Sequence, residues 1–165
     1  LVIRAGVGST GFVRGNWGRC AQLNLKMHEM IEFALSQSED SRLVAFLWHQ
    51  GETDAGRGNI PEVHRMQVED MVNEVRKRYK IENLPFVAGD FVHHWKNTKL
   101  DVCEPLIAKI KEACANLGSS AFVETDGLFS NHQKIENKDI IHFCRQSLSD
   151  LGERYYEAFR SIIDG

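Results

Sequence analysis

Apolar residues along this chain recur with two different spacings, and the two alternate. Short continuous apolar runs occur at Leu1–Val7, Leu43–Trp48, Pro85–Gly89 and Ala121–Val123. Runs of that length, bounded by glycine, proline or polar residues, predict buried strands. Between them lie longer segments with apolar residues three and four apart, which predict helices over 21–37, 61–80, 101–117 and 145–163. Their inward stripes are Met27, Met30, Ile31, Ala34 and Leu35, then Val68, Met71, Val72, Val75 and Tyr79, then Leu106, Ile110, Ala113, Cys114 and Leu117, and finally Leu148, Leu151, Tyr155, Phe159 and Ile162. His28 is expected on a solvated face. Four strand–helix repeats in strict alternation imply an α/β domain with a parallel sheet and helices on both faces. Ligands then gather at the carboxyl ends of the strands. Gly8, Gln50, Asp90 and the loop before His142 all fall there.

Composition narrows the class without changing it. The chain has 165 residues, enough for one domain with a real core. Its 20 basic and 23 acidic residues leave a net charge of -3. That is no electrostatic footprint for nucleic acid or for an anionic membrane. No apolar run approaches the roughly 20 residues that span a bilayer. Cys20, Cys103, Cys114 and Cys144 are scattered, with no CxxC pair. They read as reduced core thiols, which favours a reducing, cytoplasm-like compartment.

Three polar stretches carry candidate chemistry. Gly6, Gly8 and Gly11 bracket Ser9 and Thr10, either a plain turn or a close backbone approach to a ligand; the phosphate-loop pattern is absent. At residues 43–47 the apolar run gives way to His49, Gln50, Gly51, Glu52 and Asp54. Such groups are costly to bury without partners. Asp139 lies three residues before His142, a spacing that lets a carboxylate hold one imidazole nitrogen and leave the other free as a base; the plain alternative is two unconnected residues at a helix entrance. His93, His94 and Trp95, with Trp17, either line a sugar-stacking cleft or belong to packed segments. A metal site there lacks a further ligand at suitable spacing. The basic cluster Arg76, Lys77, Arg78 and Lys80 reads as cations at a helix carboxyl terminus.

Taken together, Gly8-Ser9-Thr10, the block Trp48-His49-Gln50-Gly51-Glu52-Thr53-Asp54, and Asp139-Ile140-Ile141-His142 resemble the SGNH hydrolases. The resemblance is to their sialate O-acetylesterase and acetylxylan esterase branch, carbohydrate esterase family six, and covers most of the chain. It implies a three-layer α/β/α sandwich with a flavodoxin-like parallel sheet. It implies a serine esterase removing acetyl groups from sugars, with an acetylated carbohydrate as partner and no cofactor or metal. His142 would be the general base and Asp139 its orienting acid. Gly8, through its N–H, and Gln50, through its amide, would form an oxyanion hole beside Gly51. His49, Glu52 and Asp54 would brace that loop. The branch's nucleophile block, Gly-[Gln/Asn]-Ser-Asn, does not occur in these residues, and Ser9 stands in the wrong block. The nucleophile strand is central in the family's sheet, between the 1–7 and 43–48 strands. The expectation is therefore an N-terminally incomplete domain with its serine upstream. Two alternatives remain: a pseudoenzyme or sugar-binding module on the same fold, and a flavodoxin-like domain holding an anion at the glycine loop.

Overall fold

The computed structural model describes residues 2–165. Its sheet has three parallel strands, β1 (Phe46–Trp48), β2 (Phe86–Gly89) and β3 (Ser120–Val123), ordered β1-β2-β3. Phe46 pairs with Phe86 and Trp48 with Ala88; on the other side Phe86 pairs with Ser120 and Gly89 with Val123. The helices are α1 (Gln22–Leu35), α2 (Glu52–Gly56), α3 (Pro61–Tyr79), α4 (His93–Lys96), α5 (Leu100–Leu117), α6 (Asn131–Ile135) and α7 (Arg145–Ile163).

Successive strand residues point to opposite faces, and the two faces bury different cores. Phe86, Ala88 and Trp48 pack with Val68, Val72 and Val75 of α3 and Leu106 and Ile110 of α5. Val87 and Val123 pack with Leu151 and Tyr155 of α7. This is the layered, parallel α/β arrangement that the alternating pattern predicts. Each fully buried large side chain, such as Phe86 or Val72, stabilises it by roughly 1.5–3 kcal/mol.

Several expectations need correction. Among residues 2–7 no strand forms, although Ile3 and Ala5 turn toward the first core while Val2 and Arg4 are exposed; Leu1 lies outside the described residues. The alternation is that of a strand, but a strand also needs a ladder partner. Leu148 is exposed rather than inward, on the α7 face beside exposed Leu47 and Tyr156. His28 is buried, not solvated, because its Nδ1 meets the Tyr79 hydroxyl at 2.9 Å between α1 and α3. Cys20 is exposed, while Cys103, Cys114 and Cys144 are free and buried. Arg76 is not a solvated terminal charge: its buried guanidinium donates to the carbonyls of Leu84, Leu117 and Gly118.

Candidate active site

The site begins where β1 stops. Gly51 has φ 151, and a Cβ there would stand 2.6 Å from the Phe91 ring, so only glycine makes this turn. It delivers the chain into α2 and places Asp54, fully buried, beneath the glycine loop. Asp54 accepts from Phe12 N at 3.1 Å, Val13 N at 2.7 Å, the Gln50 amide at 2.7 Å and the Asn59 amide at 2.8 Å. Burial pushes its carboxyl up, but His64, Val13 and Gln50 outweigh it, and the group titrates below its ordinary range. The Gln50 amide also donates to the Thr10 carbonyl at 3.1 Å. Both of its hydrogens are thus engaged in tying the glycine loop to α2. Gly8 and Ser9 form an exposed turn, with Ser9 at φ 59.

The same strand end is held from below. Tyr155 of α7 donates its single hydroxyl hydrogen to the Trp48 carbonyl at 3.0 Å and so accepts from His49 Nδ1 at 2.9 Å. Desolvation pushes the His49 imidazole down to about 4, so it is neutral at pH 7 and suited to that donor role, although the residue's outer face is exposed. Gly89 of β2 makes room for the pair: a Cβ there would sit 2.4 Å from the Tyr155 oxygen.

The second part of the site is the loop before α7. His142 Nδ1 lies 2.9 and 3.0 Å from the two carboxylate oxygens of Asp139. Asp139 Oδ1 also accepts from His142 N at 3.1 Å, and Oδ2 accepts from the Asn131 amide at 2.9 Å. Slight burial raises the Asp139 carboxyl, but these donors, Asn131 first, hold it below its usual range. The His142 side chain is 75% exposed, and its Nε2 has no partner among the described residues. The ring of Phe143, next along the chain, meets the His49 ring edge-on with centroids 5.6 Å apart. Glu52 lies within the field of His142. Burial pushes the Glu52 carboxyl up to about 7, and the imidazole pulls it the other way.

The structure therefore brings together the glycine loop, the block after β1 and the Asp139–His142 loop on one rim. It does not bring the aromatic candidates there. Trp17 is buried, edge-on to Trp48 with its Nε1 donating to Thr10 Oγ1, and Trp95 is buried against Phe91. Both are core residues with no ring face for a sugar. His93 faces Asp90 at 3.3 Å, and His94 faces buried Ser130 at 2.8 Å. No group of three potential metal ligands occurs among the described residues. Sequence reasoning missed the Tyr155 hydroxyl, whose partners lie more than a hundred residues away, and Asn131, Asn59 and His64, whose partners lie five to eleven residues away across intervening turns. For Asn131 a signal existed. Ser130 and Gln133 form a capping box, the signature of the unpredicted helix α6.

A family model described as carbohydrate esterase, sialic acid-specific acetylesterase, matches residues 1–161. A search among curated proteins finds no match. Among solved structures, NanS aligns with a TM-score of 0.68 at 18% identity, over 90% of this chain and 54% of that one. An Arabidopsis thaliana protein aligns with a TM-score of 0.66 at 19% identity, over 88% of this chain and 54% of that one. These likenesses agree with the parallel α/β fold. The chain spans about half the length of the solved structures it matches.

Proposed function

The chain belongs to the carbohydrate esterase, sialic acid-specific acetylesterase family, and from that premise we propose that it supplies the base and oxyanion side of a serine O-acetylesterase acting on acetylated sugars such as acetylated xylan or sialic acid. His142 is the general base and Asp139 orients it. The observation that supports this reading is the double contact of Asp139 with His142 Nδ1, which leaves Nε2 without a partner among the described residues, while the adjoining Phe143 ring meets His49 of the block after β1. A base held in one tautomer can take the hydroxyl proton of an attacking serine and return it to the leaving sugar oxygen. The Gly8 N–H and the Gln50 amide would face the ester oxyanion. Gln50 can do so only by exchanging its Thr10 contact for the substrate.

The nucleophile belongs on a strand alongside β1. Supporting this are the outer edge of β1, which carries no strand among the described residues, and the exposed apolar side chains of Val2, Val44, Leu47, Leu148 and Tyr156 that line a groove there. A paired strand would cover both. The alternative, a module that keeps the fold without the reaction, draws on a different observation. No serine hydroxyl among the described residues hydrogen-bonds His142.

Hydrolysis of p-nitrophenyl acetate by the natural full-length protein separates the two. The expected result is turnover that falls roughly 10³-fold or more in His142→Ala and about 100-fold in Gln50→Ala. Unchanged turnover in a folded His142→Ala protein means that the base is misassigned. A parent protein that binds acetylated sugar but turns over no ester supports the module instead.

A further inference from the structure

Asn131 touches both members of the histidine–aspartate pair. Its backbone N–H donates to the His142 carbonyl at 2.9 Å, and its side-chain amide donates to Asp139 Oδ2 at 2.9 Å. The next N–H, that of His132, donates to the Asp139 carbonyl at 2.8 Å. The clasp is itself fixed. Ser130 caps α6 through Gln133, its hydroxyl is buried and 2.8 Å from His94 Nδ1, and it bridges Phe143 across an antiparallel pair. Every one of these contacts comes from a four-residue stretch, 130–133, that contributes no apolar side chain to either core.

We propose that Asn131 is a positioning residue for His142: its amide fixes the rotation of the Asp139 carboxylate, and the carboxylate then fixes the imidazole as the Nδ1–H tautomer with Nε2 free. The proposal rests on the reading of His142 as the base. Asp139 and His142 are both partly or largely open to water, and an exposed carboxylate–imidazole pair alone holds its geometry weakly. The backbone N–H groups of Ile141, at 3.3 Å, and His142, at 3.1 Å, anchor Oδ1, and the Asn131 amide holds Oδ2 against rotation about that anchor, so both oxygens stay on the imidazole. The amide adds no charge and touches neither the reacting atoms nor Nε2. Its effect falls on orientation, which a reaction feels in turnover and not in substrate binding.

The test measures tautomer and kinetics separately, in the natural full-length protein. Long-range ¹H–¹⁵N spectra of neutral His142 are expected to report mainly Nδ1–H in the parent. In Asn131→Ala, which keeps the backbone clasp, they are expected to move toward the Nε2–H form that water favours. Asn131→Asp has the same size and turns the donor into an acceptor; it is expected to move them at least as far, and it decides the matter if the alanine variant does not fold. The accompanying kcat for p-nitrophenyl acetate should fall about 10-fold with KM unchanged. A parent-like tautomer in both variants overturns the proposal, as does a rise in KM at constant kcat. Absence of esterase turnover in the parent counts against the esterase reading alone, since the tautomer measurement still decides what Asn131 does.

Discussion

At the scale of single residues, the chemistry turns on how each polar group at the strand ends is partnered. Glu52 sits two residues from Gln50, in the field of His142, and burial lifts its carboxyl to about 7. A carboxyl whose folded pKa exceeds its unfolded value stabilises the fold while it holds its proton. The contribution of Glu52 is therefore full below pH 4.5 and is lost as pH rises through about 7. Glu52→Gln keeps the size and removes the ionisation. It is expected to melt above the parent at pH 8, by an amount equivalent to about 1–3 kcal/mol, with the difference closing below pH 4.5. Melting curves across that range check it, and a constant offset at every pH would show that the carboxyl does not titrate there. His49 behaves in the opposite sense. Its depressed pKa means that stability drops as pH falls from 6.5 toward about 4 and the imidazole takes up a proton.

Among the elements, the joint between the glycine loop and α2 depends on one carboxylate. Asp54 receives two backbone N–H groups from the turn at Phe12–Arg14 and two side-chain amides. Removing a buried acceptor leaves those donors unpaired, at roughly 1–3 kcal/mol for each that finds no water. Asp54→Ala should release the turn before it disturbs the sheet. Amide exchange at Phe12 and Val13 is expected to accelerate while the amides of β2 stay protected; equal acceleration in both places would mean that Asp54 supports the whole fold. The α3 end has a comparable joint in Arg76, which satisfies carbonyls from the turn before β2 and from the end of α5.

Considered as a whole, the described residues form a domain with two cores and a sheet whose outer strands, β1 and β3, each have one strand partner, and the β1 edge is the one beside the exposed apolar groove. An edge strand with unpaired backbone and exposed apolar neighbours is a site of self-association unless something covers it. Residues 1–165 prepared alone are expected to associate in a concentration-dependent way, and Leu47→Lys, on the groove side of β1, should reduce that association. Sedimentation of both proteins checks the expectation. A parent that stays monomeric at high micromolar concentration shows that the edge needs no cover.

The fold class and the order of the four long helices were legible from periodicity. Alternating apolar spacings have few architectures that bury them. The contact between Asp139 and His142 was legible too, because it spans three residues and local geometry determines it. Tertiary structure decided the rest. Tyr155 stands on an apolar stripe, and nothing in its own neighbourhood reveals that its hydroxyl pins Trp48 and His49 from more than a hundred residues away. Trp17 and Trp95 look the same in sequence whether they stack on a sugar or fill a core, and only packing assigns them to the core. Residues 2–7 carry the alternation of a strand, yet pairing depends on a neighbour that a local pattern cannot supply. Short-range geometry is written in the order of residues, whereas the partners of a hydroxyl, a ring or a strand edge are chosen by whatever the fold brings beside them.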